Sequence, residues 1–364
     1  MHTQIVIKEE KKVNIWVDKI SVLPQILAKL KLGNKIAVLT HRSLWNLYKT
    51  KFPKLSNMKL IFLPEGEKTK SIKYLTKIYT QLLHFGFDRK SVITIFGGGV
   101  LGDLGGFAAS TFMRGIDVVQ VPTTLLSMID SSIGGKTAIN LPLGKNLVGS
   151  FYQPKIILCD LSLVSTLPKK EFDNALGEIL KYAILNKKIY LLLTCLKTIS
   201  NDIVTKPVFK KVVLECIKTK LDIVKLDEKE MFGLREKLNL GHTIAHSIEA
   251  VTKYTKYSHG IAVILGLVGE IYLSYICGFL DKNKFEEMMK FIEKFSFSIN
   301  FDKTLCAINP EKIFCCLKYD KKVQENKLRF VLPQDFGKVN IYSNIQKTKI
   351  LASIKFLQKW ILER

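Results

Sequence analysis

From Ile36 to Asp160 the chain alternates short, β-branched apolar runs with stretches of helical spacing, and this alternation narrows its fold more than any other feature. The runs IAVLTH (36–41), KLIFLP (59–64), SVITIF (91–96), DVVQVP (117–122) and KIILCD (155–160) read as strands buried on both faces. Between them, Lys70 to Phe85 and Asp103 to Thr111 carry apolar residues at helical intervals. Strand alternating with helix specifies an α/β fold with a doubly wound parallel sheet. After Thr166-Leu167-Pro168 the pattern changes to long helical periods, with one late β signal, KLRFVLP, near residue 327. We therefore expect an α/β domain over 1–168 and a mainly helical domain over 169–364. A chain of 364 residues is long enough for two cores.

Directly after SVITIF stands Gly97-Gly98-Gly99-Val100-Leu101-Gly102-Asp103, followed by a helical pattern. Gly97, Gly99 and Gly102 match G-x-G-x-x-G in the strand–turn–helix context of a Rossmann-like domain, where backbone amides and a helix N-terminus hold a pyrophosphate. Glycines that let a helix pack tightly on a sheet explain the same residues, and both readings stand. The ribose-binding acid expected about twenty residues on has no clear counterpart, because Asp117 comes early and opens a strand.

A second run, Ile133-Gly134-Gly135-Lys136-Thr137, has the ending of a P-loop, but Asp130 occupies the position of its first glycine, so the ATPase reading fails. What remains is DSSIGGKTAINLPLGKN, in which Asp130, Lys136, Lys145 and Asn146 suit a site gripping carboxylate or phosphate oxygens. Further on, His242, His246 and His259 crowd into LNLGHTIAHSIEAVTKYTKYSHG. His242 and His246, four apart, share a helix face and could offer two nitrogens to a divalent metal; a polar helix face is the commoner meaning of such spacing.

The net charge of +24 invites a nucleic-acid reading. The lysines, however, are scattered from Lys8 to Lys359 with no arm, stripe or nucleic-acid motif, so we expect neither a nucleic-acid nor a membrane partner. Seven cysteines, odd in number and without CxxC spacing, read as reduced, buried thiols. With no signal-peptide pattern in MHTQIVIKEEKK, the expectation is a cytoplasmic protein. Ala262 to Leu280 is apolar enough to span a bilayer, but Glu270 at its centre argues for a buried core helix.

Taken together, GGGVLGDLGGFAASTFMRG, VPTTLLSMIDSSIGGKTAINLPLGKN and NLGHTIAHSIEA resemble the 3-dehydroquinate synthase family of the sugar-phosphate cyclase group, related in fold to polyol and iron-containing alcohol dehydrogenases. The likeness runs from about Pro64 to about Gly337. It implies conversion of 3-deoxy-D-arabino-heptulosonate 7-phosphate (DAHP) to 3-dehydroquinate and phosphate in the shikimate pathway, with NAD+ and one divalent metal, Zn2+ or Co2+, in a homodimer. Another sugar-phosphate cyclase or a metal-dependent polyol dehydrogenase is the alternative, and a basic nucleic-acid or membrane-surface binder is the non-enzymatic one.

Residue by residue, the resemblance implies that NAD meets Glu65, Gly66, Glu67, Lys68, Thr69 and Lys70 of PEGEKTKS. It adds Gly98, Gly99, Val100, Leu101, Gly102 and Asp103 of the glycine turn, Thr123 and Thr124, Lys136 and Lys145, and Leu163, Val164, Ser165 and Thr166. The metal falls to Glu178 of ALGEILKYAIL with His242 and His259, while His246 assists catalysis instead of ligating. Asp130, Lys136, Lys145, Asn146, Lys181, Lys220, Glu230, Arg235, Asn239 and Lys321 would meet the substrate, and Arg114 its phosphate in the neighbouring subunit. The chain departs from the family pattern in three places. Met231-Phe232 stand where a single residue is usual between Glu230 and Gly233, His41 replaces an Asp or Asn near the adenine ribose, and lysine is unusually abundant.

Overall fold

The computed structural model describes residues 12–199, 203–204, 206–317 and 328–364. The chain divides into two compact units between Leu163 and Val164, inside the 3-10 turn Leu161–Thr166.

The first unit contains β1 (Asn14–Val17), α1 (Leu23–Lys29), β2 (Ile36–His41), α2 (Arg42–Tyr48), β3 (Met58–Leu63), α3 (Ile72–His84), β4 (Val92–Gly97) and α4 (Gly99–Thr111), then β5 (Asp117–Pro122), β6 (Lys136–Leu141), β7 (Gly144–Phe151) and β8 (Ile156–Cys159). Six of these strands form one sheet in the order β1-β8-β5-β4-β2-β3. All its pairings are parallel. This is the doubly wound α/β architecture expected from the alternation. The central strand β4 is buried at every residue, because helices cover both faces of such a sheet. Ile93 and Ile95 of β4 share a core with Leu39, Ile61, Ile78 and Leu82, and with Leu101 and Leu104 of α4.

The chain leaves β2 toward β3 on one side and returns to β4 on the other, so the winding reverses between β2 and β4. A ligand in an open α/β sheet binds at the carboxyl ends of the strands flanking such a reversal. Gly97 ends β4 and His41 ends β2. Strand β1 and the antiparallel β6–β7 hairpin lie outside the runs read from sequence.

The second unit is mainly helical, as expected: α5 (Lys169–Leu185), α6 (Lys187–Thr194), α7 (Pro207–Leu226), α8 (His242–Val251), α9 (His259–Ile276), α10 (Lys282–Ser296), α11 (Pro310–Leu317) and α12 (Lys347–Leu362), with β9 (Arg329–Asp335) and β10 (Lys338–Ser343) paired antiparallel. From Arg329 on, the late β signal is therefore one strand of a hairpin. Helix α9 is long and apolar enough to cross a membrane, yet it is a core helix with 72% of its length buried, and Glu270 within it is 0% exposed. The expectation of buried cysteines holds for Cys159 and Cys216 but not for Cys195 and Cys315, which are exposed. Each sits near the end of a short amphipathic helix, where one face meets solvent.

Candidate active site

In the first unit four glycines sit at close contacts. A Cβ on Gly105 would lie 2.7 Å from Ile95 Cδ1, and one on Gly106 would lie 2.5 Å from Thr137 Cγ2, so these two allow α4 to press on β4 and β6. A Cβ on Gly98 would sit 3.2 Å from Thr124 Cγ2, and one on Gly99 would sit 3.0 Å from Ser131 Oγ, at the first turn of α4. The Thr124 and Ser131 side chains thus close on these two glycines, at a helix N-terminus of the kind whose amides can hold a pyrophosphate. Close packing thus accounts for all four glycines of this segment.

Lys70 ties this corner together. Its side chain is 5% exposed and its ammonium donates to Asp103 on α4 and to Asn146 on β7. Asn140 Nδ2 donates to Glu67 Oε1 (2.7 Å), and the Asn146 amide donates to Asn140 Oδ1 (3.0 Å). The PEGEKTKS loop is thereby bound to the hairpin. Glu65 accepts from Ser43, Gly66 turns with φ +91°, and Lys68 is exposed beside buried Thr69, whose hydroxyl donates to Pro64 O (2.8 Å). Thr123 donates its amide to Gly97 O (3.0 Å), and Thr124 Oγ1 accepts from the Ser127 amide (3.2 Å) at the start of the turn bearing Asp130.

Lys136 and Lys145 are exposed on the two hairpin strands. His41 Nδ1 donates to Leu63 O (3.0 Å). In the linking turn Leu163 and Val164 are buried, while Ser165 and Thr166 are exposed. Arg114 is exposed on a turn in which Met113, Arg114 and Gly115 all have positive φ (+49°, +63° and +118°). Two consecutive left-handed non-glycine residues carry strain, which persists where the surroundings hold it.

In the second unit Glu178 of α5 is 0% exposed and its Oε1 lies 3.2 Å from both His242 Nε2 and His259 Nε2. The ligand atoms of these three residues all fall within 4.8 Å of one another. His246 stays outside this group, its ring 5.6 Å from that of His242 and 6.4 Å from that of His259. Helical spacing alone would pair His242 with His246; the fold instead converges three helices. Glycines make that convergence possible. A Cβ on Gly177, beside Glu178, would lie 2.0 Å from Gly260 O, and one on Gly260, beside His259, would lie 1.6 Å from Asn174 O. No side chain fits there, so α5 and α9 touch backbone to backbone at the two ligand-bearing positions.

Both imidazoles are oriented from behind: His242 Nδ1 donates to Leu240 O (3.0 Å), and His259 Nδ1 meets Glu249 Oε1 (3.4 Å). Burial is the largest influence on His242 and, with the Lys181 charge, lowers its pKa to about 4. Burial opposes the charged form of His259 too, but Glu178 and Glu249 outweigh it and raise its pKa to about 10. Burial disfavours ionised Glu178, yet the Lys181 ammonium, backed by the hydrogen bond from His259, holds its pKa well below the usual carboxylate range. Lys181 Nζ is 2.5 Å from Glu178 Oε2, but Oε2 still lacks an aligned hydrogen bond. A buried carboxylate whose Oε1 faces two imidazoles, each with its other nitrogen engaged, is a donor set for a divalent metal such as zinc.

Lys220 on α7 is 6% exposed and Arg235 is 4% exposed. Arg235 Nε lies 3.4 Å from Glu230 Oε1, and Glu230 turns with φ +60°. Asp227 organises this loop, accepting from the amides of Met231 (2.7 Å) and Phe232 (3.2 Å). Met231 and Phe232 are carried outward, 77% and 80% exposed. Asn239 ends the short helix Leu234–Asn239 that leads into α8. Lys321 lies outside the described residues. Asp227, Glu249 and Lys70's double contact are structuring features that spacing alone does not signal.

Comparison with known proteins gives two adjoining family matches that meet inside α5. Residues 60–174 match the family model described as 3-dehydroquinate synthase N-terminal, and residues 175–323 match its C-terminal counterpart. The chain is 40% identical over 324 residues to the 3-dehydroquinate synthase of Dictyoglomus thermophilum, covering 87% of this chain and 88% of that protein. In fold it is similar to 2-epi-5-epi-valiolone synthase from Streptomyces hygroscopicus subsp. jinggangensis with NAD+ and Zn2+ bound (TM-score 0.83, 21% identity, covering 98% and 100% of the two chains). It is also similar to 2-deoxy-scyllo-inosose synthase complexed with carbaglucose-6-phosphate, NAD+ and Co2+ (TM-score 0.79, 22% identity, covering 94% and 96%). On the matched length and the identity to its relatives, the chain belongs to the 3-dehydroquinate synthase family.

Proposed function

We propose that this chain converts DAHP to 3-dehydroquinate and inorganic phosphate, using NAD+ and a divalent metal. The observation that carries the reading is the convergence of buried Glu178 and His242 with half-buried His259, and of Lys181 against the carboxylate, in a chain of this family. The reaction oxidises an alcohol, eliminates phosphate from the adjacent carbon framework, restores the alcohol and closes the ring by an aldol step. When bound, NAD+ takes and returns the hydride while the metal polarises the alcohol oxygen.

We assign the residues as follows. Glu178, His242 and His259 hold the metal, and either zinc or cobalt suits their mixed carboxylate and imidazole set. Lys70 fixes Asp103 and the PEGEKTKS loop for the nucleotide, whose pyrophosphate takes the Gly98 and Gly99 amides and whose remaining contacts come from Val100 to Asp103, Thr123, Thr124 and Leu163 to Thr166. Asp130, Lys136, Lys145, Asn146, Lys181, Lys220, Glu230, Arg235, Asn239 and Lys321 orient the doubly anionic substrate. Its departing phosphate is stabilised by His246 and by Arg114 from the second subunit of a homodimer. The protein works in the cytoplasm on a small molecule, with no nucleic-acid or membrane partner.

A substrate panel tests this. Purified protein with NAD+ and zinc or cobalt should turn over DAHP and leave hexose 6-phosphates and sedoheptulose 7-phosphate unchanged. Turnover of either of those in place of DAHP would move the chain to another cyclase activity.

A further inference from the structure

Glu270 is a carboxylate buried to 0% exposure in the middle of the most apolar of the described helices, and such a charge is costly without dedicated partners. Its partners are specific. Glu270 Oε2 accepts from the Gly241 amide at 2.5 Å, and Oε1 accepts from the amides of Thr243 (3.1 Å) and Ile244 (3.3 Å) at the start of α8. Gly241 N–H and Leu240 C=O are the two ends of one planar peptide. The far end of that peptide, Leu240 O, lies 3.0 Å from His242 Nδ1. A carbonyl only accepts, so a proton sits on His242 Nδ1, and Nε2, 3.2 Å from Glu178 Oε1, is the nitrogen left for a metal.

We propose that Glu270 is the positioning carboxylate of His242, acting through the Leu240–Gly241 peptide to hold the imidazole in its metal-binding tautomer. The inference rests on reading Glu178, His242 and His259 as metal ligands. Metal-ligating histidines commonly donate their second nitrogen to a carboxylate or carbonyl; His259 meets Glu249 directly, whereas His242 reaches Glu270 through a peptide whose two hydrogen bonds polarise each other. Glu270 also lies about three helical turns beyond His259, on the same face of α9. One helix therefore carries one ligand and, through Glu270, orients another. Gly266 permits this, since a Cβ there would lie 1.9 Å from Gly241 O.

The test uses the full chain. Long-range 1H–15N spectra of the metal-free wild type should show His242 protonated on Nδ1, and protonation on Nε2 overturns the proposal without any variant. Glu270→Gln and Glu270→Asp, with folding confirmed by circular dichroism, should bind zinc about 10- to 100-fold more weakly in chelator competition while NAD+ affinity stays at the wild-type value. A helix cap with no further role would lower thermal stability and leave zinc affinity of the folded variants within twofold, which overturns the proposal. Wild type that takes up no stoichiometric zinc sinks the metal reading and this inference together; zinc-loaded wild type with unchanged variants sinks this inference alone.

Discussion

Glu178→Gln removes one charge from the second unit while keeping the shape of the side chain. Lys181 Nζ lies 2.5 Å from the carboxylate, with the two side chains 2% and 0% exposed. At an effective dielectric near 20, two unit charges at that separation attract by roughly 7 kcal/mol. Desolvation of both offsets much of this, and removing one partner of such a buried pair costs about 3–5 kcal/mol because the other charge is stranded. In a folding unit of roughly 200 residues each kcal/mol lowers Tm by about 2–4 °C, so metal-free E178Q should unfold about 6–20 °C below wild type, read by circular dichroism after chelation. Lys181→Met in the same chain removes the stranded ammonium. The double variant should regain most of the lost stability and still bind no zinc, which separates the ion pair from the ligand. A Tm for E178Q within about 2 °C of wild type, or zinc binding by the double variant at wild-type affinity, would refute the reasoning.

Three further outcomes follow from the same geometry. His259, raised to about 10, stabilises the metal-free fold fully below its ordinary value near 6.5 and loses that contribution as pH climbs through about 10; His242, lowered to about 4, is already neutral. Zinc binding at neutral pH should therefore release about one proton from His259, with log affinity rising by about one per pH unit up to about 10, as calorimetry in buffers of different ionisation enthalpy would show. Gly260→Ala places a Cβ 1.6 Å from Asn174 O, so it should cost at least about 1–3 kcal/mol of stability and weaken zinc binding in the same variant, measured by thermal unfolding and chelator competition. Lys70→Met breaks the contacts to Asp103 and Asn146 and, at about 1.5–3 kcal/mol for a charged hydrogen bond, should weaken NAD+ binding about 10- to 100-fold with zinc affinity unchanged, by fluorescence titration.

The parts of the fold legible in the sequence are those where burial on both faces leaves an unbroken apolar run. SVITIF and IAVLTH read as strands for that reason, and they are β4 and β2. The β6–β7 hairpin was not legible, because β7 is largely exposed and its residues carry polar and glycine signals that read as loop. Spacing could not reach the metal group either. Periodicity compares residues on one helix, whereas Glu178, His242 and His259 come from α5, α8 and α9, and only likeness to a family linked them. The physical cause of their meeting, backbone contact at Gly177 and Gly260, looks in sequence like two ordinary glycines. Glu270 was legible as an argument against a membrane span, but the amides it binds belong to another helix.

The central claim is that oxidation is transient and phosphate leaves in the same turnover. The most direct measurement follows inorganic phosphate and NADH absorbance together, with purified protein, zinc, DAHP and NAD+ well below the substrate concentration. One phosphate should appear per DAHP consumed, through many turnovers per NAD+, with no net rise in NADH. Steady NADH production without phosphate, from DAHP or from a simple polyol, would contradict the account and mark a dehydrogenase.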